Sequence, residues 1–361
     1  MPDRLINGWQ PILFIIGQKM TDNTHHQNLK SFLINSGLSK LTRPFAPFLG
    51  HILMFHRVVT PDGKPRIPEN QILEITPKHL MDIIAFYRQR GYEFISMDEV
   101  TRRLDGKRSK NKFVAFTFDD GYTDTYTTAY PILKKENIPF SIYITTDFPD
   151  RRAYMWWNLL ESALLDNDVL FFTLDKKEYA IHCETMDLKR EAFTYIRQLV
   201  LKSITGIPAA WWSVFDPLGM DVEGFTERIA LSWDQIKELA RDPLVTLCAH
   251  TCTHPPLTAL DEDEALDEMQ TSREIIEYKT GLKVEHFAYP YGSKLEVTER
   301  EARMAADLGF KTAVITEPGN IYGYHRDRRM MLPRVTINEA DHLRTLTLVA
   351  DGCIPQTFSK F

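Results

Sequence analysis

The chain is poor in most features that assign a protein at sight. It has four cysteines, Cys183, Cys248, Cys252 and Cys353, scattered without a Cys-x-x-Cys pair, which argues against a disulfide framework. It has no excess of positive charge: 43 Lys and Arg against 49 Asp and Glu leave a net charge of −6. That balance argues against a nucleic-acid or anionic-membrane surface and suits neutral sugars better. It has no long hydrophobic run. The patch Pro-Ile-Leu-Phe-Ile-Ile at 11–16 is too short to span a bilayer and lacks a basic leader with a small-residue cleavage site. These absences imply a cytoplasmic mature protein with no transmembrane span, whose apolar patch is free to dock on the protein itself or on a membrane surface. Internal repeats, low-complexity segments, coiled-coil heptads and phosphate-binding glycine loops are also missing.

What is present fits a globular enzyme. With 361 residues, 43% hydrophobic and 25% charged, the chain can bury a full-size core, and a barrel of about 200–250 residues plus additions accommodates it. Strands and helices alternate. Thr76-Pro77 opens a helix closed by Gly91, and the strand 92–95 follows. Further strands are expected over 113–118, 140–145, 244–249, 285–289, 311–316 and 332–337, with helices through Lys135 and over 262–279 and 298–308. Such alternation favours a parallel sheet or barrel with ligands at the C-terminal ends of the strands.

Two of those strand ends carry chemistry. Residues 114–121 read Val-Ala-Phe-Thr-Phe-Asp-Asp-Gly, and about 130 residues later comes His250-Thr-Cys-Thr-His254. Taken alone, Asp119-Asp120-Gly121 reads as readily as a turn or helix N-cap as it does as a site, and the histidines read more readily as a surface or core pair. Their joint occurrence at strand ends reverses that. A zinc-like ion takes imidazole nitrogens and carboxylate oxygens and, in a catalytic site, keeps one position open. Two histidines and one aspartate meet this need. Neighbouring aspartates on a strand end point apart because side chains alternate, so one can bind metal while the other faces water. Cys252, between the histidines, points elsewhere and is set aside as a ligand.

Thr117-Phe-Asp-Asp-Gly121, His250-Thr-x-x-His254 and Phe287-Ala-Tyr-Pro-Tyr-Gly292 resemble the three core motifs of the polysaccharide deacetylase (NodB-homology) family of carbohydrate esterases, over roughly residues 51–340. The resemblance implies a distorted (β/α) barrel and metal-dependent removal of N-acetyl or O-acetyl groups from sugars, most often N-acetylglucosamine units. It makes Asp119 the general base and Asp120, His250 and His254 the metal ligands. The backbone N–H of Tyr291 becomes the donor to the oxyanion. The implied ion is divalent, zinc first, although cobalt, nickel, iron or manganese suits the same donors.

The chain departs from the commonest family pattern twice. A late Leu-x-x-His element that would supply the general acid is missing, and Leu53-Met-Phe-His56 stands near the start instead. This resembles a rearranged branch that includes poly-N-acetylglucosamine deacetylases, and makes His56 the general acid, with His325 the substitute. Ala288 stands where an arginine commonly orients the catalytic aspartate. Arg334 is the candidate replacement, paired with Asp119 or with substrate.

The expected organisation is an N-terminal extension over 1–50, a catalytic domain over 51–350 with a helical insertion at 151–232, and a tail over 351–361. The insertion shows no chemistry. Its Trp156 and Trp157 either pack the core, which is favoured, or shape a glycan cleft. The expected function is metal-dependent N-deacetylation of an N-acetylglucosamine-containing saccharide, chitooligosaccharide deacetylase-like. The alternatives are a deformylase or O-deacetylase of a lipid-linked or surface-polysaccharide sugar, or a non-catalytic glycan-binding relative.

Overall fold

The computed structural model describes residues 48–107, 109, 111–202, 207–339 and 343–352. The apolar patch at 11–16, nearly all of the expected N-terminal extension, Cys353 and most of the tail lie outside the described residues. In chain order the strands are β1 (Gly50–Phe55), β2 (Arg57–Val58), β3 (Glu74–Ile75), β4 (Glu93–Phe94), β5 (Phe113–Phe118), β6 (Phe140–Ile144), β7 (Val169–Leu174), β8 (Lys177–His182), β9 (Val245–Ala249), β10 (His286–Ala288), β11 (Thr312–Pro318) and β12 (Leu332–Thr336). The helix Leu343–Ala350 belongs to a separate unit and is described by itself.

β1, β12, β11, β10, β9, β6 and β5 follow one another laterally, and pairing of β1 with β5 closes them into a parallel barrel of 7 strands. β4 pairs with the first residues of β5, outside the ring. The closing seam runs in register from Gly50 opposite Phe113 to Phe55 opposite Phe118. Gly50 is required there, since a Cβ would lie 2.3 Å from the Phe113 carbonyl oxygen. β1, β5 and β6 are buried along their whole length, as strands covered on both faces must be. Inside the barrel one parity carries Ile52, Ala115, Tyr143, Cys248, Ala288, Val314 and Leu332.

The connecting helices start where their caps dictate. Thr76 accepts from the His79 N–H at the head of Pro77–Gln89, and Asp261 with Glu264 and Thr298 with Glu301 form capping boxes on Glu262–Thr280 and Glu299–Asp307. The helix after β5 opens with a π turn, Thr125–Ala129, before Tyr130–Lys135.

Between β6 and β9 the chain leaves the barrel rhythm. This region holds helices, as expected, and one element that was not expected. It holds an antiparallel hairpin, β7 with β8, beside the helices Trp156–Asp166, Met186–Leu201, Ile207–Phe215 and Val222–Ile229. These pack a second apolar core around Trp156, Trp157, Phe193, Trp211 and Phe215.

Candidate active site

β5 ends at Phe118, and the next two residues part company through the backbone. Asp120 has φ +70°, so a left-handed turn, rather than the alternation of a continuing strand, directs its carboxylate away from that of Asp119. Thr251 (φ +66°), His254 (φ +63°) and Tyr291 (φ +61°) share this conformation. It costs a non-glycine residue on the order of 1–3 kcal/mol and concentrates where function requires it.

The Asp120 Oδ1 atom lies 3.4 Å from His250 Nε2 and 3.3 Å from His254 Nε2. Two ligands each ~2.1 Å from a tetrahedral ion stand ~3.4 Å apart, so the spacing fits one shared cation. The three donor atoms fall within 4.8 Å of one another, all buried. The histidines lie on the loop after β9, with the left-handed turns at Thr251 and His254 bringing them together. His250 Nδ1 is 2.7 Å from the Ala288 carbonyl oxygen; as donor it leaves Nε2 unprotonated and facing Asp120. Glu268, reaching in from Glu262–Thr280, accepts from the Cys252 N–H (2.7 Å), the Thr253 N–H (2.9 Å) and the Thr253 hydroxyl (2.6 Å). It thereby fixes the loop. Burial would raise the Asp120 carboxyl, but the two imidazoles outweigh it and hold it far below its ordinary range. Burial lowers His254 despite Asp120, which favours the neutral ring that a metal needs. The residue types, spacing and protonation therefore suit a divalent cation. Cys252 is outside this group; burial pushes its thiol up to about 12, and Cys183, Cys248 and Cys252 are free thiols.

Asp119 is gripped from the other side. Arg334 Nη1 and Nη2 donate to its two oxygens at 2.7 and 2.6 Å. The same guanidinium donates to the Ile315 carbonyl at 3.2 Å and the Thr117 hydroxyl at 3.3 Å, and it is wholly buried. Burial alone would raise the Asp119 carboxyl, but Arg334 outweighs it and holds it below its usual value. Arg334 comes from β12, on the far side of the barrel seam from Asp119, and Ala288 lies inside the barrel on β10, two strands away.

His56, Asp119, Asp120, His250, His254 and Tyr291 line one cavity of about 490 Å³. His56 follows directly on β1. Tyr291 is the middle of a tight γ-turn in which the Gly292 N–H donates to the Pro290 carbonyl at 2.7 Å. Gly292 must be glycine: its φ is +61°, and a Cβ would lie 3.0 Å from the Thr316 nitrogen. Trp157 sets its ring 5.0 Å from that of His254 and is pinned by donating to the Tyr122 hydroxyl, which donates to Asn158 at 2.8 Å. Trp156 and Trp157 thus pack the second core, the reading favoured for them, and also line the cavity.

Sequence reasoning missed the rest of the wall: Glu69 and Asn70 from the helix Pro68–Gln71, and Phe193, Thr194 and Arg197 from Met186–Leu201. Nothing local in those segments distinguishes them from ordinary amphipathic helix. Thr316 and Thr336, near the ends of β11 and β12, also line the cavity, and the strand-end rule could have found them. His325 does not belong to the site. It sits on the turn Gly323–Arg328, and its Nδ1 accepts from the Tyr322 N–H at 2.9 Å.

The protein YxkH of Bacillus subtilis (strain 168) is 35% identical over 94 residues, 26% of this chain and 30% of that relative. The chain therefore spans less than a third of that curated relative's length. The Streptococcus pyogenes deacetylase PplD in complex with acetate superposes with a TM-score of 0.55 at 20% identity, covering 84% of this chain and 99% of PplD. IcaB from Ammonifex degensii gives 0.54 at 19%, covering 84% and 97%. At that identity the likeness is one of fold. The family model described as polysaccharide deacetylase matches residues 106–313, more than half of the chain and the stretch that holds Asp119, Asp120, His250, His254 and Tyr291. Matched over that length, the chain belongs to the polysaccharide deacetylase family.

Proposed function

We propose that this protein hydrolyses N-acetyl groups from an N-acetylglucosamine-containing oligo- or polysaccharide, with a divalent cation, zinc first, held by Asp120, His250 and His254. One juxtaposition carries the reading: a buried carboxylate, Asp119, kept ionised by Arg334 beside a three-donor cluster in a cavity that His56 and Tyr291 also line. A cation bound there supplies Lewis-acid polarisation of the acyl carbonyl and a lowered pKa for water.

The chain's own groups do the remainder. Asp119 accepts the proton of the attacking water, and Arg334 keeps both carboxylate oxygens in place while it does so. The carbonyl carbon becomes tetrahedral, and its oxyanion takes the backbone N–H of Tyr291, which donates to no described residue. His56 gives a proton to the amine as the C–N bond breaks, releasing acetate and a free amino sugar. The aromatic wall formed by Trp157, Phe148 and Tyr291 around His254 keeps the cluster dry, which strengthens every charge interaction in it.

The position of His56 at the end of the first barrel strand supports the branch that contains poly-N-acetylglucosamine deacetylases. Acetate, bound in the PplD structure, is the product this reaction releases. Among the described residues no helix is long and apolar enough to cross a membrane; a cytoplasmic location is part of the proposal and is checked by fractionation.

The deciding experiment measures acetate release from N-acetylglucosamine oligomers by chelator-stripped protein and by the same protein given back zinc or cobalt. Release restored by metal is the expected result. Metal binding without release from oligomers or lipid-linked sugars would overturn the reading.

A further inference from the structure

The helix Met186–Leu201 brings to the cavity a charge that the hydrolysis does not use. Besides histidines, the charged residues lining the cavity are Glu69, Asp119, Asp120 and Arg197. Three of them are engaged: Glu69 with Arg190 at 2.9 Å, Asp119 with Arg334 at 2.6 Å, and Asp120 with the two histidines. Arg197 has no carboxylate partner among the described residues, and its guanidinium lies 5.7 Å from the centre of the Tyr291 ring.

One more donor in this part of the cavity lacks an acceptor. The Tyr291 hydroxyl is buried and donates to no described residue; the Trp156 Nε1–H faces the hydroxyl oxygen without closing a well-formed hydrogen bond. Trp156 is 4% exposed and is stacked on Trp211 at 3.8 Å between ring centres, which holds its N–H against that oxygen and leaves the hydroxyl proton for another acceptor. An unpartnered buried donor is costly, and a ligand that brings acceptor oxygens removes that cost. A guanidinium beside a neutral donor matches the oxygens of a carboxylate or phosphate.

We propose that Arg197, with the Tyr291 hydroxyl, binds an anionic group, a phosphate or a carboxylate, carried by the saccharide next to the sugar that loses its acyl group. The inference names the substrate class of the site proposed above and rests on that reading. The overall charge of −6 does not oppose it, because the acidic groups lining the cavity are already paired or face the metal ligands.

Tryptophan fluorescence of the full-length protein, titrated with N-acetylglucosamine, with its 1-phosphate and with a disaccharide joining it to a uronate, tests the proposal without turnover. The charged ligands should bind about tenfold more tightly than the neutral sugar, and the phosphate and uronate arms identify the anion. Arg197→Gln should reduce that advantage to about threefold or less, and Arg197→Lys should restore part of it. Equal affinity for charged and neutral ligands in the wild-type protein would overturn the proposal, as would an advantage that survives in Arg197→Gln. Inorganic phosphate binding as tightly as the sugar phosphate would overturn the link to the saccharide. The two readings fail separately. Acetate release without a charge preference removes only the anion site, whereas charge-selective binding without acetate release from any arm removes the deacetylase.

Discussion

Two carboxylates with different partners occupy consecutive positions, and one backbone dihedral separates them. Asp119 faces Arg334, and Asp120, turned by its left-handed φ of +70°, faces the histidines. The residue types and their spacing were legible in the sequence because metal chemistry restricts donors to so few side chains. The left-handed turn was not: Asp-Asp-Gly offered a turn only as the alternative to a site, and the parting of the carboxylates was assigned to strand alternation instead. Arg334 could be named as a candidate from Leu-Pro-Arg-Val, but its choice between Asp119 and substrate needed the barrel to be closed. Asp119→Asn should retain its metal by elemental analysis and lose turnover by about 10²–10⁴-fold, while His250→Ala should lose both. Arg334→Met leaves a buried carboxylate unpaired and should cost about 3–5 kcal/mol in denaturant unfolding. The double variant Asp119→Asn/Arg334→Met should recover much of that loss. If the double variant were no more stable than Arg334→Met alone, the pair would not be the source of the cost.

The elements of the barrel were legible almost to the residue, because parallel strands buried on both faces read as unbroken apolar runs. Phe113–Phe118 matches its expected span, and the helix expected over 262–279 ends one residue later, at Thr280. The hairpin inside the insertion was not legible. In Val169–Leu174 the buried residues are Leu170, Phe172 and Leu174, but Phe171 on the opposite face is 64% exposed, so the alternation is masked. Its turn uses Asp175 and Lys176, both at positive φ (51° and 64°), where Asn-Gly is the usual signal. A second consequence belongs to the helix Glu262–Thr280, which immobilises the ligand loop through Glu268. Glu268→Ala should weaken metal affinity by about 10–100-fold while leaving the far-ultraviolet circular dichroism unchanged. Competition with a chromogenic chelator measures it, and an unchanged affinity would show that the loop holds its shape unaided.

At the scale of the molecule, two buried histidines make the fold sensitive to acid. His51 lies in β1 between Asn320 at 3.0 Å and Tyr92 at 3.2 Å, and burial lowers it to about 3. His325 is lowered by burial to about 4. Both take up protons more readily in the unfolded chain, where histidine titrates near 6.5. Their contribution to stability is therefore intact above that value and is lost as pH falls from 6.5 toward 3–4. Each costs up to about 1.4 kcal/mol per pH unit within that window. Urea unfolding at pH 7 and pH 5 should show the drop, and His51→Asn should flatten it. An equal drop in the variant would move the acid sensitivity elsewhere.

The barrel seam also sets an order in time. A ribosome delivers His56 first, then Asp119 and Asp120, then the histidine loop, and Arg334 last, because β12 is the final strand among the described residues and must enter between β1 and β11. Until it does, Asp119 has emerged without the cation that neutralises it, and the parallel sheet cannot close; such long-range pairing is slow. A nascent chain halted before Leu332 carries Asp120, His250 and His254 in full and still leaves Asp119 without its guanidinium partner. The last strand among the described residues is thus the one that pairs Asp119 with a cation.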